Sequence, residues 1–221
     1  MRIQTVVRPL VVLVVWALGA GHAAAADKPL NIVALGDSLT AGAGLAGQDA
    51  FPAKLQQALA AKGIAATVSN AGVSGDTMSG GLARLEWSVP PGTDAVILEL
   101  GANDALRGLD PAVTRRALDA ILAALARRNI PVLLCGMLAP RNLGAEYARA
   151  FDPMFPALAK TYGAVLYPFF LDGVATNAKL NQRDGLHPTA AGVDVIVAKI
   201  LPKVEELIAR VRAKKGTRQG T

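Results

Sequence analysis

The chain has 221 residues, 52% of them hydrophobic, with a mean hydropathy of +0.35 and a formal net charge of +6. That length fits one α/β domain and leaves little room for a second, and the apolar fraction is ample for a packed core. The charge does not mark a nucleic-acid binder, which would carry its basic residues on a working face: removing Arg2 and Arg8 leaves +4, and setting aside Arg210, Arg212, Lys214, Lys215 and Arg218 leaves −1.

Residues 1–26 have the layout of a cleavable export signal. Arg2 and Arg8 form a positive start, Leu10 to Ala20 an apolar stretch, and the run Ala23 to Ala26 precedes polar Asp27 and Lys28. The apolar run is short for a membrane span, so an uncleaved anchor is the weaker alternative. Residues 27–209 then read as a single domain in which strand-like and helical patterns alternate. Leu30–Leu35 is continuously apolar apart from Asn31, as a strand covered on both faces should be. Ala50–Lys62 has helical spacing and ends at Gly63; Ala65–Asn70 is a second strand; Thr77–Trp87 is a helix through Met78, Leu82 and Leu85. Asp94–Leu100 is the third strand, and Asp110 with Pro111 opens a long helix to Arg128. Pro131–Met137 is the fourth strand, Ala145–Tyr162 a helix that Pro153 and Pro156 must kink or split, Ala164–Tyr167 the fifth strand, and Thr189–Arg212 a last helix interrupted or bent at Pro202. The basic residues 210–221 are expected to fray as a solubilising tail, with weak adhesion to an anionic surface as the sharper alternative.

This succession predicts an α/β fold: a three-layer α/β/α sandwich around a five-stranded parallel sheet in the order 2-1-3-4-5, the flavodoxin-like arrangement. Chemistry should then collect at the carboxyl ends of the strands. Of the two histidines, His22 leaves with the signal, so imidazole chemistry in the mature chain must use His187. One His and the single Cys135 cannot assemble the usual zinc ligand sets, and no metal or cofactor is expected. Cys135 sits in an apolar strand and reads as an inert core thiol.

Four short segments carry chemistry. Gly36-Asp37-Ser38-Leu39 follows the first strand and can present a hydroxyl near a helix N-terminus. Asn70 to Thr77 follows the second strand and offers a small-residue loop with free backbone N–H groups. Gly101-Ala102-Asn103-Asp104 follows the third strand and places a side-chain amide at the same rim. Asp184-Gly185-Leu186-His187-Pro188 precedes the last helix, with an acid and an imidazole three residues apart that can bond to each other. Each alone is also an ordinary cap or turn; their joint placement is what carries weight. Two other signals are set aside. Gly42 to Gly47 matches G-x-G-x-x-G but begins past the strand end and lacks an acidic ribose partner, so it reads as a flexible loop. The G-x-S-x-G elbow is absent.

From about Asn31 to Lys203 the chain resembles the SGNH (GDSL) hydrolases, and more narrowly their acyl-CoA thioesterase I, lysophospholipase and arylesterase group. The resemblance rests on NAGVSGDT (70–77), GLARL (81–85), VILELGANDALRGL (96–109) and DGLHP (184–188). It implies Ser38 as nucleophile, Asp184 and His187 completing a triad, and Ser38, Gly75 and Asn103 as oxyanion-hole donors. Ala102 stands where close relatives often have a second glycine. The implied activity is hydrolysis of carboxylic esters and thioesters, among them aryl esters, acyl-CoA-type thioesters and lysophospholipids. The substrate wall is expected from Leu106, Leu109, Leu138, Leu143 and Tyr147. A carbohydrate O-acetylesterase on the same fold is the alternative, disfavoured by 5% aromatic content. A non-catalytic binding protein is the other. The expected partner is a small acyl ester or thioester, with no nucleic acid and no stable membrane anchor, for a monomer in the periplasm or secreted.

Overall fold

The computed structural model describes residues 28–219; the expected export signal lies outside them. Five strands, β1 (Leu30–Gly36), β2 (Ala66–Gly72), β3 (Ala95–Glu99), β4 (Val132–Cys135) and β5 (Val165–Tyr167), form one sheet in the order β2-β1-β3-β4-β5. Every pairing is parallel, with Ile32 opposite both Val68 and Ala95, Ile97 opposite Leu133, and Leu134 opposite Leu166. All five residues of β3 and all four of β4 are buried, which fits segments that are apolar throughout except for Glu99.

One face of the sheet carries α2 (Phe51–Ala61) and α9 (Ala190–Gln219), which pack on each other; the other carries α3 (Met78–Ala83), α6 (Pro111–Arg127) and α8 (Met154–Tyr162). Asp110 caps α6 by accepting from the Ala112 N–H at 2.9 Å, with Pro111 at the first position as its sequence requires. The expected helix 77–87 is split: α3 ends at Arg84 and α4 (Leu85–Ser88) starts there. Arg84 turns inward, donating to Asp76 Oδ2 at 2.6 Å and to the carbonyls of Ala71 and Gly36 at 2.8 Å each. The segment before α8 also breaks, between α7 (Gly144–Phe151) and Met154, at Pro153. Pro156 is accommodated in the first turn of α8, where its missing N–H has no intrahelical partner to lose.

Two expectations about α9 are corrected. Pro202 does not interrupt it, because Pro202 and Ala198, whose carbonyl loses its donor, both face solvent. Nor does the helix stop at residue 209: it runs on to Gln219. The apolar stripe of Val204, Leu207 and Ile208 extends to buried Val211. The basic groups are tied to the amino-terminal edge of the sheet: Arg210 donates to Gly163 O at 2.6 Å, Lys214 to Asn129 O at 2.9 Å, and Lys215 pairs with Asp94 at 2.7 Å. These charges belong to the fold, at the end away from the strand termini where the four motifs meet. Among the described residues no helix is long and apolar enough to cross a membrane.

Candidate active site

At the carboxyl end of β1 the chain passes without a break into the short helix α1 (Ser38–Ala41). This tight passage needs glycine at Gly36, since a Cβ there would fall 2.0 Å from Thr40 Oγ1 and 2.7 Å from Glu99 O. Asp37 is the N-cap, accepting from the Leu39 N–H at 2.9 Å, and Ser38 is the first helical residue. Across the sequence, Asp184 Oδ1 accepts from the N–H groups of Leu186 (2.9 Å) and His187 (3.1 Å), which folds the Asp184–Pro188 segment into a tight turn. That turn aims the imidazole. His187 Nε2 lies 2.9 Å from Ser38 Oγ, although the two residues are 149 positions apart, and His187 Nδ1 lies 2.6 Å from Asp184 Oδ2. The contact to His187 and the two backbone N–H groups pull the Asp184 carboxyl down to about 2, so it is ionised at any ordinary pH. Ser38, His187 and Asp184 form one hydrogen-bonded line.

Asn103 sits on α5 (Ala102–Leu106), which opens straight after β3. Its amide Nδ2 donates to Asp76 O at 2.9 Å and to Asp37 Oδ2 at 3.2 Å, which fixes it beside the residue preceding Ser38. Gly75 lies in the loop after β2 with φ +83°, its carbonyl accepting from Arg107 Nη2 at 2.8 Å. The loop Gly42 to Gly47, expected to be flexible, is fastened: Gln182 Nε2 donates to Ala43 O at 2.8 Å, and Gly44 abuts the same side chain.

A cavity of about 330 Å³ opens beside this line, walled by Ser38, Asn103 and His187 on one side and elsewhere by mainly apolar residues, with Thr176 and Asn181 among them. Of the expected wall, Leu106 and Leu138 line it and are 50% and 39% exposed. Leu109, Leu143, Tyr147 and Gly75 are not among its lining residues. Tyr147 is instead a strut, donating its hydroxyl to Leu109 O at 2.8 Å while its ring stacks on Phe151, and Leu143 packs toward Gly108. The far wall comes from Met137, Phe169, Leu171, Ala175 and Leu186, which the sequence did not single out. A second hollow of similar volume lies at the opposite, amino-terminal end of the strands near Tyr162, Arg210 and Lys214, and holds no nucleophile.

Beneath the site is a row of buried polar groups. Gly36 is opposite Glu99, Glu99 opposite Cys135, and Cys135 opposite Tyr167, so the three side chains share one face of the sheet. Glu99 Oε2 accepts from Thr40 Oγ1 at 2.7 Å and from the Asp37 N–H at 3.5 Å; Glu99 Oε1 and the Tyr167 hydroxyl have no partner. Burial, reinforced by Asp37, lifts the Glu99 carboxyl well above the carboxylate range, and burial lifts Asp37 to about 6. Burial likewise raises the Cys135 thiol and pushes Tyr167 up to about 12. Glu99 was legible only as the one acid inside the apolar run of β3, and Asp104 proves equally structural, accepting from Met78 N and Thr114 Oγ1. Among the described residues no three His, Cys, Asp or Glu side chains gather as a metal site.

The chain is similar to known proteins over most of its length. Residues 34–195 match the model of the GDSL-like lipase/acylhydrolase family. Esterase TesA of Pseudomonas aeruginosa is 36% identical over 80% of this chain and 89% of its own. Thioesterase 1/protease 1/lysophospholipase L1 of Escherichia coli K12 is 36% identical over 85% of this chain and 88% of its own. The crystal structure of AlinE4, an SGNH-hydrolase family esterase, is 49% identical and superposes with a TM-score of 0.69 over 81% of this chain and 96% of that one. Matching the family along the stretch that holds Ser38, Asn103 and His187, and matching its esterases along nearly their whole length, the chain belongs to the GDSL-like lipase/acylhydrolase family.

Proposed function

We propose that this hydrolase is a serine esterase and thioesterase in which Ser38 forms an acyl-enzyme with hydrophobic acyl groups. The observation that carries the reading is the Ser38–His187–Asp184 line at the mouth of an apolar cavity. His187 Nε2 takes the Ser38 proton as Oγ attacks the acyl carbonyl, and the same proton then goes to the leaving alcohol or thiol. Asp184 holds the ring through Nδ1 and compensates the imidazolium without itself being protonated, consistent with its lowered pKa. The carbonyl oxygen becomes an anion held by the N–H groups of Ser38 and Gly75 and by the Asn103 amide. That amide is already oriented by Asp76 O, and its long 3.2 Å bond to Asp37 is the one that an oxyanion would draw away. Water repeats the sequence on the acyl-enzyme.

The acyl chain runs along Leu106, Leu138, Met137 and Phe169, where each buried methylene contributes about 0.8 kcal/mol. A panel of p-nitrophenyl esters tests this directly. The expected result is kcat/KM rising about three- to four-fold per carbon until the cavity is filled, then levelling. Preference for acetate over all longer chains favours the carbohydrate O-acetylesterase reading, and no turnover of any ester favours a binding protein. The leader-like residues 1–26 support a location outside the cytoplasm, in the periplasm or medium, which cell fractionation of the full-length chain checks.

A further inference from the structure

Asn103 and Arg107 stand one helical turn apart at the two ends of α5, with the Arg107 N–H donating to Asn103 O at 3.1 Å, so their side chains leave the same face. Both reach the same loop. Asn103 Nδ2 donates to Asp76 O at 2.9 Å and Arg107 Nη2 donates to Gly75 O at 2.8 Å, so two successive carbonyls are gripped from one turn of helix. The two residues held are not otherwise fixed to the same degree. Asp76 is also anchored from beneath by Arg84 at 2.6 Å and by its own N–H on Val73 O at 3.1 Å. The Gly75 carbonyl accepts, among the described residues, from Arg107 alone. Gly75 has φ +83° and no side chain to limit its torsions, so an unheld Gly75 would sample several backbone conformations of similar energy. Its N–H direction follows those torsions.

We propose that Arg107 is a positioning residue for the oxyanion hole, acting through the Gly75 carbonyl to keep the Gly75 N–H aimed at the charge that develops on the substrate. The inference rests on the proposed function, in which Gly75 and Asn103 furnish oxyanion donors. A donor that must first be ordered contributes less than a preorganised one, so the clamp acts on the transition state and not on ground-state binding. Arg107 is exposed and makes no ion pair among the described residues, so its loss leaves the core untouched.

The test compares Arg107→Met, Arg107→Lys and Asn103→Ala on p-nitrophenyl butyrate, with Tm for each. Arg107→Met is expected to lower kcat about ten-fold, less than the roughly 10²–10³-fold loss on removing a donor outright, with KM and Tm unchanged. Arg107→Lys, which keeps a cationic donor of similar reach, should recover part of that loss. If Asn103→Ala falls as expected while Arg107→Met keeps wild-type kcat, the clamp alone is overturned. If Asn103→Ala also keeps wild-type kcat, the oxyanion reading itself has failed. A fall in Tm that accounts for the lost activity, or a raised KM at unchanged kcat, overturns the clamp as well, because the first marks a stability role and the second a substrate contact.

Discussion

Glu99→Gln should make the protein more stable at neutral pH, and by an amount that grows with pH. Glu99 is wholly buried, its Oε1 unpartnered, and burial with the neighbouring Asp37 lifts its carboxyl well above the ordinary 4.5. Above that ordinary value the unfolded chain has released the Glu99 proton while the folded chain still holds it. Stability is therefore fully present below about pH 4.5 and declines as pH climbs toward the folded pKa. For one proton the slope is about 1.4 kcal/mol per pH unit. Glutamine ionises in neither state and removes this slope, while its oxygen can still accept from Thr40 Oγ1. Asp37, raised from 3.8 to about 6, gives a decline of the same sign on the order of 3 kcal/mol, but it is present in both proteins and cancels in their difference as long as Glu99 holds its proton and is as neutral as glutamine. Urea unfolding of wild type and variant at half-unit steps from pH 4.5 to 8 measures that difference. It should rise at about 1.4 kcal/mol per unit and level once Glu99 ionises in the fold. A flat difference, or a variant that loses ground as pH rises, would refute a neutral buried Glu99.

Two further perturbations follow from the same contacts. Arg84→Met should cost about 3–5 kcal/mol in urea unfolding, because it strands the Asp76 carboxylate and takes the buried guanidinium's N–H donors from the carbonyls of Ala71 and Gly36, the latter keeping only the Val73 N–H. Ending the chain at Ala209 should cost about 1.5–3 kcal/mol through the lost burial of Val211, lowering Tm while kcat/KM at 20 °C stays near wild type. A truncation that leaves Tm unchanged would restore the frayed tail.

The strand order and the convergence of Ser38 with His187 were legible because parallel strands leave unbroken apolar runs and each motif stands directly after one of them or just before the last helix. Less legible was whatever depended on a side chain turning against its periodicity. Arg84 occupies a helical position yet folds inward to cap two strand ends, which breaks the helix expected over 77–87. Tyr147 was expected as cavity wall from its chain position, but its hydroxyl finds Leu109 O and its ring finds Phe151, so it braces the helix pair instead. The far wall around Phe169 and Ala175 lies in turns after β5, where no repeat of apolar residues signals a face. The tail misled through composition alone: its basic residues meet carbonyls and carboxylates that only the sheet's amino edge brings together.

The central claim is a covalent acyl group on Ser38, and intact-protein mass after rapid quenching with p-nitrophenyl butyrate tests it most directly. Wild type should gain the mass of one butyryl group, mapped by peptide digestion to the segment holding Ser38, and should release a burst of p-nitrophenol. Ser38→Ala should gain nothing and release none, with its urea-unfolding midpoint close to wild type. An adduct that persists in Ser38→Ala, or near wild-type turnover by that variant, would contradict the account.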